Sequence, residues 1–334
     1  MFRAREICDK VDLGWLEGKR IMITGATGLI GAHLMACLRY LLDEGMAFSV
    51  HGQSRSVLSS FMHKLTNHRR ITMFQRDFTG ETMDGMPKCD AVIHAAGYAQ
   101  AQRFMLNPIA SIRIGTSVLL NLLNHLCPNG RLLFLSSSAV YSGGNKDVYT
   151  ENDAGLMPMN HPRIAYVEAK RAGEVICHIY RDLNIDTRVV RLGVTYGPGT
   201  HWDDTRALNS FVRAAVTDGR IRLLDSGSTI HQYCYVSDAV EILWQVLLHG
   251  REAVYNVGGH DEVSIMGIAR TVMSMTGAWL TFPTTPSEVL GAPQRVLMDT
   301  TRAETEFGKT DYVGLEEGIQ DTIDWYRELH GNRQ

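Results

Sequence analysis

The sequence predicts an α/β fold in which a doubly wound parallel sheet is followed by a smaller C-terminal α/β lobe. Two observations lead to this prediction. From residue 20 to about residue 197, short apolar patterns typical of buried strands alternate regularly with helical patterns, as a parallel sheet covered by helices requires. Beyond that point the alternation gives way to helical patterns near 205–217, 237–249, 263–275 and 315–329, with short extended pieces between them.

A glycine-rich turn joins the first strand to the first helix. The stretch RIMITGATGLIG at 20–31 places three glycines between an apolar strand and a helical pattern that reaches Leu42. Such glycines permit a tight turn, close approach of the backbone to a phosphate and close packing of helix on strand. The amide groups at the helix start would then face a pyrophosphate, and a glycine turn without a ligand is the alternative. The residues expected to contact a dinucleotide here are Gly25, Thr27, Gly28, Leu29, Ile30 and Gly31.

This turn leads to an expected division of the chain. Residues 1–197, mainly 18–197, are predicted to form a dinucleotide-binding domain. Residues 198–334 are predicted to form a substrate-binding lobe that closes over the carboxyl edge of the sheet, with some chain crossing back to the sheet.

The second strand pattern, 47–51, is followed by a polar run without an acidic residue. Dinucleotide-binding folds commonly place a carboxylate here to hold the ribose hydroxyls of the adenosine. Ser54 and Arg55 stand in this run instead, and they are candidates to bind a 2′-phosphate, which would favour NADP. A merely solvated Arg55 is the alternative, so the cofactor is predicted as NAD or NADP.

Two further strand ends carry candidate cofactor contacts. The third strand pattern, 71–74, is followed by Asp77 and Phe78. Asp77 could accept a hydrogen bond from an adenine amino group or cap its own turn. The fourth strand pattern, 91–94, ends in Ala95 and Ala96, whose small side chains let a cofactor lie against the backbone.

The candidate catalytic residues follow the next strand. A helical pattern at 108–126 precedes the fifth strand pattern, 132–135, and Ser137 stands at the carboxyl end of that strand, where open α/β sheets bind ligands. Tyr166 and Lys170 lie four residues apart on a helical pattern at 163–182, so they project from one face. A nearby ammonium stabilises a phenolate, and Lys170 is therefore expected to lower the pKa of Tyr166 for proton transfer. A surface Tyr/Lys pair without function is the alternative for this spacing alone.

Composition excludes several classes of protein. The 334 residues carry a formal net charge of -3, so no broad basic field favours nucleic acid or an anionic membrane. The first 19 residues carry charges throughout and form neither a signal peptide nor a membrane span. Six scattered cysteines and thirteen dispersed histidines show no metal-binding spacing. We therefore expect a cytoplasmic protein without a metal ion.

Six motifs in fixed order resemble one family. They are TGATGLIG, HAAG, SSSAVY, YVEAK, TYGPG and YCYVSD, spread from residue 24 to 238. The ordered set resembles the extended short-chain dehydrogenase/reductase family of nucleotide-sugar epimerases, dehydratases and decarboxylases. The similarity covers nearly the whole chain, including QRVLMDTTRAETEFG at 294–308. The stretches HPRIAYVEAKRAGE and TYGPGTHWDDTRALNSFV are most similar to the UDP-glucuronate decarboxylase and sugar 4-epimerase branch.

The resemblance implies a Rossmann-like fold and redox chemistry on a sugar. It implies that bound NAD(P)⁺ takes a hydride from a sugar carbon, commonly C4, while Tyr166 removes the hydroxyl proton. Lys170 would hold the nicotinamide ribose, and Ser137 would bridge to the sugar oxygen. The family also implies a homodimer through the helices at 108–126 and 163–182, whose apolar faces are broad.

One departure from the family pattern bears on the reaction. Before the Val-Tyr of the strand-end motif, dehydratases of this family carry Asp-Glu and decarboxylases carry Glu, whereas this chain has Ser138 and Ala139. Alanine cannot take a proton, so an epimerase acting on a UDP-hexose or UDP-uronate is predicted. A decarboxylase or a 4-keto-sugar reductase on the same scaffold is the alternative, and a non-catalytic dinucleotide-binding protein is a remote one.

Other departures concern the substrate. Val194 stands where relatives often have a diphosphate-contacting asparagine, and His231 stands where they often have arginine. Trp202, Asp203 and Asp204 are predicted to form a lid over the sugar, or simply to begin the next helix. The residues expected to bind substrate are Ser138, Thr195, Arg206, His231 and Arg295, with Arg222 as a further anion partner and an ordinary surface position as the alternative for each arginine.

Overall fold

The computed structural model describes residues 2–283 and 295–331; Met1, Gln294 of the last family motif and residues 332–334 lie outside them. The strands are β1 (Arg20–Thr24), β2 (Ser49–Ser54), β3 (Ile71–Gln75), β4 (Cys89–His94), β5 (Leu126–Ser137), β6 (Val148–Tyr149), β7 (Asp186–Leu192), β8 (Val194–Tyr196), β9 (Arg220–Arg222), β10 (Ile230–Tyr235), β11 (Val254–Val257), β12 (Asp261–Ser264), β13 (Trp279–Thr281) and β14 (Arg295–Met298). The α-helices are α1 (Ala4–Lys10), α2 (Leu29–Asp43), α3 (Ser60–Thr66), α4 (Ala101–Leu106), α5 (Pro108–Arg113), α6 (Leu119–Asn124), α7 (Ile164–Asp182), α8 (Ala207–Asp218), α9 (Val236–His249), α10 (Ile265–Thr276), α11 (Thr301–Phe307) and α12 (Leu315–Gly331).

The main sheet has seven strands in the order β11-β7-β5-β4-β1-β2-β3. Every neighbouring pair in it is parallel. The order of connection reverses between β1 and β4, which is the point where doubly wound sheets bind ligands outside the carboxyl ends of their strands. The predicted fold class, a Rossmann-like α/β protein, is confirmed.

Side-chain alternation along the strands builds a core on each face of this sheet. Ile21 and Ile23 of β1 pack in the larger core with α2 and α9, whereas Met22 between them packs in a second core with α6 and α7. Successive strand residues point to opposite faces, so one apolar run serves both layers. This burial on both faces explains why the strand patterns are continuous rather than alternating.

Strands from both sides of residue 197 contribute to each of the two larger sheets. β11 lies beyond it and pairs with β7 in the main sheet. β6 and β8 precede it and belong to the second sheet, ordered β12-β10-β14-β6 with β8 beside β10. The expected division at residue 197 stays a prediction, with strands of each part seated in the other's sheet.

The helix predicted over 108–126 is not continuous. It is interrupted after α5 by a π-helical turn, Ile114–Val118, and it ends at α6, since Leu126 already belongs to β5. At the turn the Ile114 carbonyl faces the His94 ring nitrogen Nε2 at 2.9 Å, and a Cβ on Gly115 would lie 2.1 Å from the Ala169 carbonyl oxygen. The π-helical turn thus packs closely on α7 at Gly115 and gives the Ile114 carbonyl a buried partner in His94. Turns of this kind are often found at functional sites.

Candidate active site

A cleft of about 400 Å³ opens at the carboxyl edge of the main sheet. All the residues predicted to bind the cofactor line it: Gly25, Thr27, Gly28, Leu29, Ile30, Gly31, Ser54, Arg55, Asp77, Phe78, Ala95, Ala96, Tyr166 and Lys170. Ser137, Ser138, Thr195 and Arg206 line it as well. The structure therefore brings the candidate catalytic residues and the glycine turn into one cavity, although the role of each residue stays a prediction.

The glycine turn fits a pyrophosphate. Gly25 has a φ of +67°, and a Cβ on it would lie 2.8 Å from the Ala95 carbonyl oxygen. A Cβ on Gly31 would lie only 2.1 Å from the Gly25 carbonyl oxygen. α2 then begins after Gly28 without a side-chain cap, so the amide groups of its first turn are available to an anion in the cleft.

A buried histidine holds the next strand end in place. The Thr24 hydroxyl lies 2.7 Å from His94 Nδ1 and accepts the Ala96 amide at 3.2 Å. Burial lowers the pKa of His94 to about 4, and the charge of Lys170 acts in the same direction. His94 is therefore neutral, and it links β1, the small residues after β4 and the π-helical turn without adding charge to the cleft.

Tyr166 is held from two sides. Its ring stacks on Phe104 with the centroids 4.4 Å apart and an angle of 9° between the planes. Ser137 Oγ accepts the Ala139 amide at 3.2 Å, which leaves its proton for Tyr166. Burial raises the pKa of Tyr166, and the hydrogen bond from Ser137 and the charge of Arg206 only partly oppose it.

Lys170 does not have the predicted effect on this tyrosine. Its ammonium donates to the Leu135 carbonyl oxygen at 2.6 Å and lies 5.8 Å from the Tyr166 ring centroid. The expectation that Lys170 lowers the pKa of Tyr166 is corrected here, because burial dominates and the ammonium is directed to the backbone. Burial also lowers the pKa of Lys170 itself to about 8, with the charge of Glu174 opposing it.

Glu174 belongs to a buried network behind the site. It pairs with Arg191 at 2.7 Å and accepts a hydrogen bond from Ser136. Arg191 also donates to the Tyr141 hydroxyl at 2.8 Å. The network joins β5, α7 and β7 directly beneath the candidate catalytic residues, and its mutual pairing compensates the buried charges.

Arg206 is the predicted anion partner that reaches the cleft. Its guanidinium contacts both carboxylate oxygens of Asp204, at 2.8 to 3.1 Å, and donates to the Thr195 carbonyl oxygen at 3.1 Å. Burial raises the pKa of Asp204, but the charge of Arg206 outweighs this and holds that pKa below its usual range. Arg206 is thus fixed in place, with its charge partly balanced.

Two contacts join the two sides of the cleft mouth. Arg103 on α4 pairs with Asp203 at 2.6 Å, and Gln100 Oε1 accepts from the Thr205 hydroxyl at 3.1 Å. Trp202 of the same loop packs its ring 5.8 Å from that of Tyr326 instead. Sequence reasoning missed Gln100 and Arg103, because no strong pattern predicts the short helix α4.

Three of the predicted anion-binding residues are not in the cleft that the described residues form. Arg295 pairs with Glu262 at 2.9 Å, and Arg222 is exposed on β9. Burial lowers the pKa of His231, and the charge of Arg163 lowers it further. Arg163, which precedes α7, was not anticipated as a neighbour of β10. Among the described residues, its buried Nε atom has no hydrogen-bond partner. The roles predicted for His231 and Arg295 therefore stay predictions without a contact in the cleft.

Comparison with known proteins agrees with this geometry. The chain is 29% identical over 318 residues to UDP-glucuronic acid decarboxylase 1 of Xenopus tropicalis, covering 93% of this chain and 73% of that one. It is 29% identical over 324 residues to a dTDP-4-dehydro-6-deoxy-D-allose reductase of Streptomyces sp, covering 94% and 97%. The solved structure of UDP-glucuronic acid 4-epimerase from Bacillus cereus, in complex with UDP-glucuronic acid and NAD, matches with a TM-score of 0.78 and 22% identity over 93% of this chain and 99% of that one.

The family match covers most of the chain. A family model described as the NAD dependent epimerase/dehydratase family matches residues 21–258. This range includes the glycine turn, the serine-rich strand end and the Tyr/Lys pair, so the resemblance noted in the sequence is confirmed. The relatives named above are enzymes of UDP- and dTDP-sugars, and the chain belongs to the NAD dependent epimerase/dehydratase family.

Proposed function

We propose that the protein is an NAD(P)-dependent epimerase of a nucleotide sugar that works through a transient keto sugar. The observation that carries the proposal is the convergence of Ser137, Tyr166 and Lys170 in a cleft whose other end is the glycine turn. That arrangement allows a hydroxyl group of a sugar to meet Tyr166 while a dinucleotide lies over the turn. The nicotinamide, when bound, supplies the hydride acceptor and donor.

The chain's own residues position the sugar and move the proton. Tyr166 would take the proton from the sugar hydroxyl as a phenolate and would return it as a phenol, and because burial raises its pKa the phenol is the form in which it rests. Ser137 would hydrogen-bond the same sugar oxygen with the O–H that it directs to Tyr166 in the structure. Lys170 binds the nicotinamide ribose, and its position on the Leu135 carbonyl keeps it within the same wall of the cleft. General acid–base catalysis of this kind contributes about 10²- to 10⁴-fold.

The absence of an available acid favours epimerisation over dehydration and decarboxylation. In the part of the chain that the structure describes, the carboxylates lining the cleft are Asp77 and Asp204. Asp77 accepts from the Thr79 amide and hydroxyl, and Asp204 is held by Arg206. Neither is free to protonate a leaving hydroxyl or an enolate beside Tyr166.

A 4-keto-sugar reductase is the second candidate. The cleft has a cation, Arg55, where NAD-specific folds place an acid, and no ion pair of Arg55 is found among the described residues. A reductase of a dTDP-keto sugar is also among the relatives. Reduction needs the same tyrosine as a proton donor and, like epimerisation, no additional carboxylate.

A UDP-hexose or UDP-uronate is the proposed substrate. The Bacillus cereus structure holds UDP-glucuronic acid, and the present cleft offers Arg206 beside Thr195 and Ser138 for the anionic and hydroxyl groups of such a ligand. Arg206 would bind the diphosphate as a guanidinium already oriented by Asp204.

A cytoplasmic homodimer is part of the proposal. Apolar side chains on α5 and α7 are exposed, among them Ile109 (64%), Val175 (56%) and Ile179 (52%), and a second copy would cover them. All six cysteines are unpaired, as a reducing compartment favours. No helix among the residues described has both the length and the apolar content to cross a membrane.

Product analysis tests the proposed function. The protein with NAD⁺ or NADP⁺ is incubated with UDP-glucuronate and with UDP-glucose, and the sugars are separated by chromatography. An epimerised sugar supports the proposal, whereas release of carbon dioxide would identify a decarboxylase. Tyr166→Phe is expected to lose at least about 10²-fold in turnover, and Tyr180→Phe at the other end of α7 is the matched control. Equal activity of the two variants would contradict the role of Tyr166.

A further inference from the structure

The carboxyl end of β2 carries no carboxylate, and the side-chain amide of Gln53 there already has hydrogen-bond partners. Gln53 accepts the Gly25 amide at 3.1 Å and donates to the Arg76 carbonyl oxygen. It therefore holds the glycine turn against the segment after β3 and is not available to a ribose. The next residues toward the cleft are Ser54 and Arg55.

Arg55 is a cation without a charged partner in the part of the chain that the structure describes. Its guanidinium lies 4.9 Å from the Tyr98 ring centroid and donates to the Tyr98 hydroxyl. Both residues line the cleft, and within residues 2–283 and 295–331 no acidic side chain pairs with Arg55. A neutral ring thus supports an exposed positive charge at the adenosine end of the cleft, where it can bind an anion without first breaking an ion pair.

Hydroxyl groups lie next to this cation. Thr27 Oγ1 and Ser54 Oγ are 3.0 Å apart, and Ser54 donates to the Ser56 carbonyl oxygen at 2.9 Å. Because Ser54 uses its own proton there, Thr27 is the donor within the pair. Both residues line the cleft, and their hydroxyls are able to turn toward a phosphate oxygen.

The acid at this end of the cleft serves a different purpose. Asp77 Oδ1 accepts from the Thr79 amide at 3.0 Å and from the Thr79 hydroxyl at 2.7 Å. Asp77 therefore caps the turn that follows β3, which is the alternative foreseen from the sequence. Asp77 follows β3, whereas the acid that binds a free ribose hydroxyl in dinucleotide-binding folds follows the second strand.

We infer that the protein binds NADP(H) in preference to NAD(H), with Arg55 as the residue that binds the 2′-phosphate and the hydroxyls of Thr27 and Ser54 beside it. This inference rests on the proposed binding of a nicotinamide dinucleotide in the cleft. A carboxylate at the end of β2 would accept a hydrogen bond from a ribose 2′-hydroxyl and repel a phosphate. A guanidinium attracts the phosphate and cannot accept a hydrogen bond from the hydroxyl. The family is NAD-dependent, so this preference is a property of the present chain's own residues.

The inference also bears on the choice between the two candidate reactions. In a reductase, NADPH would supply the hydride to the keto carbon of the sugar and become NADP⁺, while Tyr166 would give its proton to the keto oxygen. The tyrosine then recovers its proton from water. NADP(H) preference thus strengthens the reductase candidate without changing the residues that carry the chemistry.

Binding of the oxidised dinucleotides to the full chain tests the inference. Isothermal titration calorimetry gives dissociation constants for NADP⁺ and NAD⁺ on the wild type, Arg55→Gln and Arg327→Gln. The last variant removes an exposed positive charge from α12 that is not among the residues lining the cleft, and it is the matched control. We expect NADP⁺ to bind the wild type about ten- to a hundredfold more tightly than NAD⁺. Arg55→Gln should lose that advantage while its affinity for NAD⁺ stays within about twofold, and Arg327→Gln should keep it.

The outcomes separate this inference from the proposed function. Equal or tighter binding of NAD⁺ by the wild type overturns the NADP(H) preference alone. An equal loss of both dinucleotides in Arg55→Gln overturns the role of Arg55 in binding the 2′-phosphate. Failure of both dinucleotides to bind at concentrations that saturate related enzymes overturns the inference and the proposed function together.

Discussion

Lys170 is expected to reduce the stability of the fold, and its replacement should make the protein more stable. Its side chain is buried, and burial lowers its pKa from 10.5 to about 8. A change of that size corresponds to about 3 kcal/mol of destabilisation at neutral pH. Lys170→Met keeps most of the packing and removes the charge. It also removes the hydrogen bond to the Leu135 carbonyl, which is worth about 1 kcal/mol, so the variant should gain about 2 kcal/mol.

Lys309 provides the matched control, since it is a buried lysine with the opposite electrostatics. Its ammonium lies 2.9 Å from both Asp238 and Glu241. Although burial lowers its pKa, those two carboxylates outweigh this and hold the pKa above its usual value. Lys309→Met removes the buried cation from both carboxylates and leaves Glu241 only the more exposed Lys10 at 3.6 Å, so it should lose about 3 to 5 kcal/mol. The same substitution at two buried sites is thus expected to change stability in opposite directions.

The pH dependence gives the sharper test. Between pH 8 and about 10.5 the unfolded chain retains the proton of Lys170 and the native state does not, so wild-type stability rises with pH in this window. The advantage of Lys170→Met should therefore fall by about 1.4 kcal/mol per pH unit above pH 8 and be nearly gone at pH 9.5. Lys309 behaves differently, because its raised pKa keeps its contribution intact until the pH passes 10.5.

Urea denaturation followed by circular dichroism at pH 7 and pH 9.5 measures these differences, with the slope of each curve checked for a common unfolding transition. Lys170→Met should also lose activity, since the proposed ribose contact is gone. The reasoning would be refuted if Lys170→Met were no more stable than the wild type at pH 7, or if its advantage were the same at both pH values.

Three further predictions concern other parts of the molecule. Gly31→Ala should abolish dinucleotide binding and lower the melting temperature, because its Cβ would lie 2.1 Å from the Gly25 carbonyl oxygen; retained binding in calorimetry would contradict the close packing of this turn. Asp203→Asn and Arg103→Gln should each raise KM about two- to fivefold with little change in kcat, and the double variant should be no worse than either single one if the two residues act as a pair. Ile179→Glu should shift a homodimer to monomers in analytical ultracentrifugation without loss of helical signal, and an unchanged sedimentation coefficient would place the interface elsewhere.

Local patterns were sufficient to predict much of the fold and part of the site. The first four strands of the main sheet lie within a few residues of their predicted positions. Tyr166 and Lys170 share a helix face because the helical period alone decides it. The glycine turn could likewise be predicted from one strand and the helix that follows it, with Gly25, Gly28 and Gly31 between them. A dozen consecutive residues were therefore enough to predict where the candidate cofactor site begins.

Other features were not predictable, because they depend on contacts between distant parts of the chain. The Arg103–Asp203 contact joins residues 100 positions apart, and no local pattern selects that partner for either residue. Arg295 pairs with Glu262 rather than facing the cleft. The expected effect of Lys170 on Tyr166 was wrong because burial, and not spacing, determines both pKa values.

The sequence by itself determined the doubly wound sheet, the glycine turn and the spacing of the Tyr/Lys pair, because strand period, helix period and turn conformation are properties of neighbouring residues. The tertiary structure alone decided which charges are paired, which are buried and which remain open to a ligand. Those properties follow from side chains brought together by the completed sheet, and they decide whether Arg55 and Lys170 are free to act on a cofactor.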